Sequence, residues 1–327
     1  NPVHSEGDFV LYWMISARRS EWNFGLQRAV EWSRDLRKPL LVLEALRCGY
    51  RWASDRLHHF VIQGMADNAD RLARTGVGYY PYLEPEAGPG KGLLAELAKR
   101  ACVVVSDDFP CFFLPHRVDS AAKQVSTRLE LVDSNGILPM RAASKVFARA
   151  HDFRRFLQKN LRPHLLEFPD PDPLKGVRLP KLDRLPADVR RRWPAAKLAE
   201  WGSSENGLGG LPIDHTVAIV RSISGGATAA QRQLRNFIGS RLRRYDSERN
   251  QPEEEVSSGL SPYFHFGHIS AHQIFAEVVQ SEDWNPSCIA EKATGSANDW
   301  WGASPQVESF LDELITWREV GFNMCWQ

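Results

Sequence analysis

The amino-acid sequence predicts an α/β N-terminal domain with a parallel, Rossmann-like sheet of five strands, joined by a long linker to an all-α domain. Three observations lead to this fold class. Short apolar segments alternate with segments of helical periodicity over the first 150 residues. Prolines then recur between residues 160 and 195, and only helical patterns follow residue 225. Continuous apolar strands that alternate with helices indicate a parallel sheet covered by helices on both faces.

Five short segments predict the strands of the sheet, in this order: Phe9–Met14, Leu40–Leu46, Val77–Leu83, Cys102–Asp108 and Arg128–Asp133. Between them, apolar residues at helical spacing predict helices over Trp22–Arg37, Asp55–Arg74 and Gly92–Ala101, with Ser54 as the N-cap of the second. We place the domain boundaries at residues 1–155, 156–215 for the linker, and 216–327.

Three helices are predicted in the second domain, over Ala227–Tyr245, Ser270–Val279 and Gln306–Phe322. Leu234, Phe237 and Leu242 recur along one face of the first of them. The residues beyond 215 therefore predict an all-α domain.

Two loops follow strands at the edge where parallel sheets bind ligands, Met14–Ser20 and Ser106–Phe113. The segment Gly88-Pro-Gly-Lys-Gly92 also resembles a phosphate loop. It lacks the Gly-Lys-Ser/Thr ending and a strand directly before it, which favours a plain turn.

Composition excludes several classes of protein. The net charge is +1, so no global basic field indicates nucleic acid, although a local basic groove is compatible with it. The five cysteines form no CxxC pair, which favours reduced thiols in an intracellular compartment over a disulfide framework or a zinc ribbon. No apolar stretch of membrane-spanning length and no signal peptide is present, so we expect no membrane partner.

His265, His268 and His272 are spaced three and four apart, which on one helix would place them on the same face. They could bind a metal or simply pack. Metal ligation usually needs a carboxylate or thiolate to complete the shell, and none is near; the segment is not HExxH. Packed or surface histidines are therefore predicted, with no metal.

The segment Ser257-Ser-Gly-Leu-Ser261 precedes Pro262, which suits an N-cap serine at position 261 followed by proline in the first turn. Free backbone N–H groups and serine hydroxyls there could hold a phosphate, or the segment could be an ordinary capped helix. The stretch Arg232–Asn250 is rich in arginine and contains Tyr245. It could supply phosphate contacts or form a solvated face.

Glu313 and Trp317 lie four residues apart, so they share a helix face. A carboxylate beside an aromatic ring can recognise a base, because the ring stacks and the carboxylate accepts from ring N–H groups. The alternative is a packed helix with a surface glutamate.

Segments along the whole chain match those of one protein family, in the same order. The matching segments are Leu11–Met14, Gly92–Leu94, Asp107–Pro115, Asp133–Gly136, Phe153–Leu157, Gly225-Gly226, Arg243-Arg-Tyr-Asp246, Leu260-Ser-Pro-Tyr-Phe-His-Phe-Gly-His-Ile-Ser270 and Glu313-Leu-Ile-Thr-Trp-Arg-Glu319. With them the chain resembles class II cyclobutane pyrimidine dimer photolyases, within the photolyase/cryptochrome superfamily. That resemblance implies an α/β antenna-type domain joined to an all-α FAD-binding domain.

The resemblance also implies roles for individual residues. Glu313 and Trp317 match the residues that meet a flipped-out dimer, and burial is expected to raise the pKa of Glu313. Asn323 falls in a segment close to the flavin. The phosphates of FAD would be held by Tyr245, Ser257, Ser258, Gly259, Leu260 and Ser261.

The implied activity is light-dependent repair of DNA that contains pyrimidine dimers. Photoexcited reduced FAD donates one electron, the cyclobutane ring splits, and the electron returns. An antenna chromophore, a deazaflavin or a folate, would sit near residues 14–18 and 107–109. We expect a monomer that works in the cytoplasm and nucleoid, or in the nucleus of a eukaryote.

Two alternatives remain: a cryptochrome-like photoreceptor without repair activity, and an unrelated nucleotide-binding α/β protein. One departure from the family pattern also matters. The sequence stops at Cys325-Trp-Gln327, whereas members of the family continue. We expect a truncated all-α domain, with the electron-relay tryptophans beyond Gln327.

Overall fold

The computed structural model describes residues 1–202 and 208–327. Its α/β region contains one sheet of five parallel strands in the order β3-β2-β1-β4-β5. This confirms the predicted sheet. The strands are β1 (Phe9–Met14), β2 (Leu40–Leu46), β3 (Gly78–Leu83), β4 (Ala101–Asp107) and β5 (Arg128–Val132).

Helices surround the sheet and make up most of the regular structure in the described residues beyond β5. In chain order they are α1 (Phe24–Leu36), α2 (Asp55–Leu72), α3 (Leu93–Ala98), α4 (Leu114–Ala122), α5 (Ala150–Asn160), α6 (Ala187–Arg192), α7 (Leu198–Gly202), α8 (Ala227–Asn236), α9 (Tyr245–Glu248), α10 (Ser261–His265), α11 (Ala271–Gln280), α12 (Pro305–Leu311) and α13 (Arg318–Trp326).

Side chains of β1 alternate between the two faces of the sheet, and both faces are buried. Phe9, Leu11 and Trp13 pack with α3 and α4. The intervening residues, Tyr12 among them, pack with α1 and the end of α2. Burial on both faces explains why this strand is apolar throughout.

Two of the predicted helices are interrupted. The segment predicted as one helix over residues 227–245 consists of α8, a π-helical turn (Phe237–Arg241), a 3-10 turn and α9. Likewise, a π-helical turn (Asp312–Trp317) separates α12 from α13. A π turn inserts a residue without changing the apolar composition of a helix, so the sequence pattern did not reveal it; such turns occur often at functional sites.

The predicted linker over residues 156–215 wraps around the α/β region. Leu174 packs on one face of the sheet and Leu185, Val189 and Trp193 pack on the other. Residues 203–207 of this linker lie outside the described part of the chain. The boundaries at 155 and 215 remain a prediction, and α5 crosses the first of them.

Asp107, at the carboxyl end of β4, fixes the loop after β1. Its Oδ2 accepts hydrogen bonds from the backbone N–H groups of Ile15, Ser16 and Ala17 at 2.9, 2.7 and 2.9 Å. Its Oδ1 accepts from the Tyr12 hydroxyl at 2.7 Å. The strand order reverses between β1 and β4, so this carboxylate organises the edge where α/β sheets bind ligands.

The helical region rests directly on this loop. Gly267 has a φ of +70°, and a Cβ added there would lie 1.7 Å from the carbonyl oxygen of Ser16. Arg19 Nη1 also donates to the Gly267 carbonyl at 3.1 Å. Only glycine allows this backbone-to-backbone approach.

Replacing Asp107 with asparagine should lower the free energy of unfolding by about 3 kcal/mol, because three backbone donors, two of them buried, would lose a charged acceptor. Urea unfolding measures this effect. Asp119→Asn on the exposed side of α4 is the matched control, with an expected change below about 0.5 kcal/mol. Equal losses in the two variants would contradict the role of Asp107.

Gly267→Ala should destabilise the protein by more than about 3 kcal/mol, because the added methyl group meets the backbone of the β1 loop. Gly76→Ala separates this contact from backbone strain. Gly76 also has a positive φ, +77°, but nothing lies within 4 Å of an added Cβ. The loss there should be about 1–2 kcal/mol. A similar loss at both glycines would show that the contact with Ser16 contributes nothing.

Candidate functional site

Arg249 joins two of the predicted site residues. It follows α9, which begins with Tyr245, and its Nη1 donates to Glu313 Oε1 in the π turn at 2.6 Å. The guanidinium also lies 5.6 Å from the centre of the Tyr245 ring. The structure therefore brings the predicted phosphate contact and the predicted dimer contact to the same arginine.

Aromatic packing holds Tyr245 in place. Its ring lies edge-on to Phe237 at 5.7 Å and to Phe310 at 5.4 Å, and those two rings are 4.7 Å apart. Phe237 belongs to the first π turn and Phe310 to α12, so both interrupted helices meet at this tyrosine. Such edge-on contacts fix ring orientation as well as burying area.

Burial raises the pKa of Tyr245; the Glu313 charge adds to this shift, whereas Arg249 opposes it. For Arg249, burial acts to lower the pKa, but the interactions with Glu313 and Tyr245 outweigh it, and the pKa is raised. Arg249 is therefore a permanent cation at this site.

Glu313 and Trp317 lie at the surface of the described chain. The Glu313 side chain is 42% exposed, so the burial expected from the resemblance is not seen in this structure. Trp317 is 50% exposed, which is high for so large an apolar side chain. Both are available to a ligand.

The segment 257–261 is held to α8. Gln233 Nε2 donates to the Ser258 carbonyl at 2.7 Å, and Ser258 Oγ accepts from the Leu260 N–H at 3.3 Å. Gly259 has a φ of +67°, and an added Cβ would lie 2.4 Å from Gln233 Nε2. Ser257 and Ser261 are exposed, so their hydroxyls can reach a ligand.

The predicted cap of the following helix was wrong by one residue. Ser261 is the first residue of α10, Leu260 occupies the N-cap position, and no side chain caps the helix. Leu260 is buried among apolar neighbours, and this burial fixes the residue that precedes the first turn of α10. Ser54 does occupy the N-cap position of α2, but its side chain makes no capping hydrogen bond.

Asn323 lies apart from this group, ten residues after Glu313 and roughly 15 Å along the helix axis. Its Oδ1 accepts from the Phe147 N–H at 3.0 Å and its Nδ2 donates to the Lys145 carbonyl at 2.9 Å. In this structure it ties α13 to the segment before α5. Its predicted position near the flavin remains a prediction.

The three histidines do not share a helix face. α10 ends at His265, Gly267 turns the chain, and His272 belongs to α11. His268 Nδ1 accepts from the Gly226 N–H at 2.9 Å and its ring stacks on Phe60. Burial and nearby arginines lower the pKa of His268 and of His272 to about 3, so both are neutral packed rings. Within residues 1–202 and 208–327, no group of three or more His, Cys, Asp or Glu could hold a metal.

A second site opens at the carboxyl ends of β1, β2 and β4, as a cavity of about 520 Å³. Ile15, Ser16, Arg18 and Phe109 line it, and these belong to the two loops that the sequence indicated. Arg18 forms an ion pair with the fully buried Glu44 at 3.0 Å. Aromatic side chains form much of the remaining wall, namely Tyr50, Trp52, Phe112, Phe113 and Phe266.

Sequence reasoning missed Arg249 as an individual site residue. The signal was present, since Arg249 lies four residues after Tyr245 and therefore near it on a helix. Its pairing with Glu313 is a contact between distant segments, which the sequence did not show.

Of the described helices, none has the length and apolar character needed to cross a membrane.

Two neighbouring acidic residues offer a test of which ion pair supports the fold. Arg154 binds Asp312 through two bonds of 2.6 and 2.7 Å, and both side chains are 12% exposed. Arg154→Ala should therefore cost about 3 kcal/mol in unfolding free energy. Arg249→Ala, which leaves the half-exposed Glu313, should cost less than about 1 kcal/mol. If urea unfolding showed a larger loss of unfolding free energy for Arg249→Ala than for Arg154→Ala, the Arg249–Glu313 ion pair would be the one that stabilises the fold.

The sequence is similar to those of curated photolyases. A deoxyribodipyrimidine photo-lyase of Methanothermobacter thermautotrophicus is 28% identical over 322 residues, which cover 97% of this chain and 61% of that protein. The one from Arabidopsis thaliana is 25% identical over 323 residues, covering 97% and 59%. The one from Potorous tridactylus is 23% identical over 328 residues, covering 99% and 54%. The chain thus spans little more than half the length of these relatives.

Solved structures share the fold. A bacterial class III photolyase from Agrobacterium tumefaciens superimposes with a TM-score of 0.67 at 17% identity, covering 98% of this chain and 59% of that one. A cryptochrome of Synechocystis gives a TM-score of 0.64 at 15% identity, covering 97% and 61%. No family model matches the chain. These similarities support the photolyase/cryptochrome superfamily, while class II stays a prediction.

Proposed function

With the photolyase/cryptochrome superfamily supported for this chain, we propose that it acts in light-dependent repair of cyclobutane pyrimidine dimers in DNA, with FAD as cofactor. The observation that carries the proposal is the position of Arg249, which hydrogen-bonds Glu313 and lies against the Tyr245 ring, with Trp317 exposed on the same π turn as Glu313. This group contains a fixed cation next to a carboxylate and an open aromatic face, which together suit a phosphate and a base.

The residues present fit a dinucleotide phosphate. The Ser257 and Ser261 hydroxyls are exposed, and Gly259 between them has a positive φ that glycine adopts readily. Arg249 supplies the positive charge, and Tyr245 is held by its aromatic neighbours. We propose that Tyr245 and the segment 257–261 bind the phosphates of FAD. When bound in its reduced form, FAD supplies the light-driven electron transfer.

The remaining residues of the group would act on the DNA. Trp317 offers a stacking face for a flipped-out pyrimidine. Arg249 holds Oε1 of Glu313, so we assign the other carboxylate oxygen to the N–H edge of the dimer. Arginines of the segment 232–249 would bind flanking phosphates without reading sequence, which makes binding depend on salt.

The cavity at the carboxyl ends of the strands is the proposed antenna site. Its volume of about 520 Å³ lies within the range of small-molecule pockets, and its aromatic wall and arginines suit a planar ligand with an acidic group. Both chromophores considered from the sequence, a deazaflavin and a folate, fit this description. We also propose that the chain belongs to class II, from the segments Leu260–Ser270 and Glu313–Glu319.

A cryptochrome-like photoreceptor is the second candidate, because a cryptochrome is among the structures with the same fold. The exposed Glu313 and Trp317 favour repair, since a sensor has no need of a surface for a damaged base. Both candidates bind flavin, so flavin alone does not separate them.

The decisive experiment uses the full-length protein, with flavin released and quantified, on DNA that contains a thymine dimer. Under blue light we expect repair by the wild type, and a loss of about 100-fold in rate for Glu313→Gln at unchanged FAD content. Glu291→Gln, at an exposed position elsewhere, is the matched control and should repair normally.

No repair by wild-type protein loaded with FAD would favour the photoreceptor. Full repair by Glu313→Gln would remove the assigned role of this carboxylate. Protein without flavin would contradict the proposed phosphate site itself.

A further inference from the structure

A smaller cavity, of about 360 Å³, lies between α3, α4 and the carboxyl ends of β1, β2 and β3. It shares part of its wall with the proposed antenna site, but α3 and α4 line only the smaller cavity. Apolar side chains, among them Leu43, Leu93 and Val125, form much of the remaining wall. The volume lies at the lower end of the range for small-molecule pockets, and the proposed function assigns no ligand to it.

The charge of this cavity is of one sign. Among the described residues, every charged side chain that lines it is a cation, namely Arg47, Lys91 and Arg117. Arg47 is partly neutralised, because its Nε lies 3.7 Å from Oε2 of Glu84, a carboxylate that is 1% exposed. Lys91 and Arg117 form no ion pair in the described part of the chain. Two positive charges therefore face the cavity without a protein anion beside them.

Arg117 is held in a position that leaves its donors free. Its guanidinium lies 5.3 Å from the centre of the ring of Trp13, which is itself buried. None of its five N–H groups donates a hydrogen bond to the residues that the structure describes. Burial and the charges of Arg18 and Arg47 lower the pKa of Arg117 to about 10, so it remains a cation at neutral pH. A cation withdrawn from water without an acceptor is unfavourable unless a ligand supplies one.

The segment Gly88–Gly92, which resembles a phosphate loop in sequence, lies at this cavity and acts in a different way. The N–H groups of Gly88 and Gly90 donate to Oε1 of Glu84 at 3.2 and 3.1 Å. The Lys91 N–H donates to the Gly88 carbonyl at 2.9 Å. These backbone donors are already paired, so they do not cradle a phosphate. The turn instead places the Lys91 side chain at the cavity.

We propose that this cavity binds a small phosphate monoester with an apolar body. The phosphate accepts hydrogen bonds from the Arg117 guanidinium, Lys91 supplies the second positive charge, and the apolar body packs against the aliphatic wall. A phosphate monoester carries close to two negative charges at pH 7 and thus matches two unneutralised cations, whereas a carboxylate carries one. Tyr82 also lines the cavity, and its hydroxyl makes no hydrogen bond within the described residues, so it can donate to the same group.

This site involves neither the flavin nor the dimer, so its test needs no light. Isothermal titration calorimetry of purified full-length protein uses phenyl phosphate as the probe. We expect one bound molecule, binding of benzoate that is weaker by at least about tenfold, and no binding of benzyl alcohol, which has the same ring without a charge. Absence of phenyl phosphate binding to the wild type would overturn the proposal.

The first pair of variants tests the arginine. Arg117→Met should lower the affinity for phenyl phosphate by at least about tenfold. It should not lower the unfolding temperature, because it removes an unpaired charge and keeps the length of the side chain. Arg191→Met removes an exposed arginine on α6 and should bind normally. Equal binding by the wild type and Arg117→Met would show that the phosphate binds elsewhere.

The second set of variants separates the two cavities, because Arg117 lines both. Ser120→Glu adds a carboxylate to the cavity between α3 and α4 and should abolish binding. Ala122→Glu adds the same charge at an exposed position on α4 outside the cavity and should leave binding unchanged. Phe112→Glu adds it to the proposed antenna site and should also leave binding unchanged. Loss of binding in Phe112→Glu with normal binding in Ser120→Glu would place the anion in the antenna cavity and overturn the proposal.

Discussion

The Asp107 carboxylate is the constraint on which the architecture depends. Three successive backbone N–H groups after β1 point at one buried acceptor, and unpaired they would each cost desolvation energy. Because the loop is fixed, the Ser16 carbonyl lies where Gly267 of the helical region can pack against it. The Asp107 side chain therefore supports both the cavity beside this loop and the contact of the loop with the helical region.

Burial also distinguishes two kinds of ion pair in this protein. A nearly buried pair stabilises the fold, whereas a surface pair stays available to a ligand. Asp312 and Glu313 are adjacent, yet one faces Arg154 in a nearly buried pair and the other faces Arg249 at the surface. Adjacent residues of a helix point in directions about 100° apart, so neighbouring carboxylates can face the interior and the surface.

Much of the α/β region was predictable, because its strands are buried on both faces and read as continuous apolar runs; β1 and β2 begin and end where the sequence indicated. The interruptions in the helices were not predictable, since periodicity over residues 227–245 barely differs between an α-helix and one with a π turn. For the site, the sequence supplied Tyr245, Glu313 and Trp317. The connection of Arg249 to Glu313 is a contact between distant segments, which no local spacing encodes.

The core of the helical region has a composition that bears on how the chain can be divided. It includes four residues that precede position 155, namely Phe60 from α2, Ile137, Phe147 and Phe153. A cut at residue 155 would therefore remove apolar side chains from one hydrophobic core while leaving them exposed on the other fragment. Each piece would expose apolar surface that the intact chain buries, so we expect either piece alone to be less stable than the intact chain.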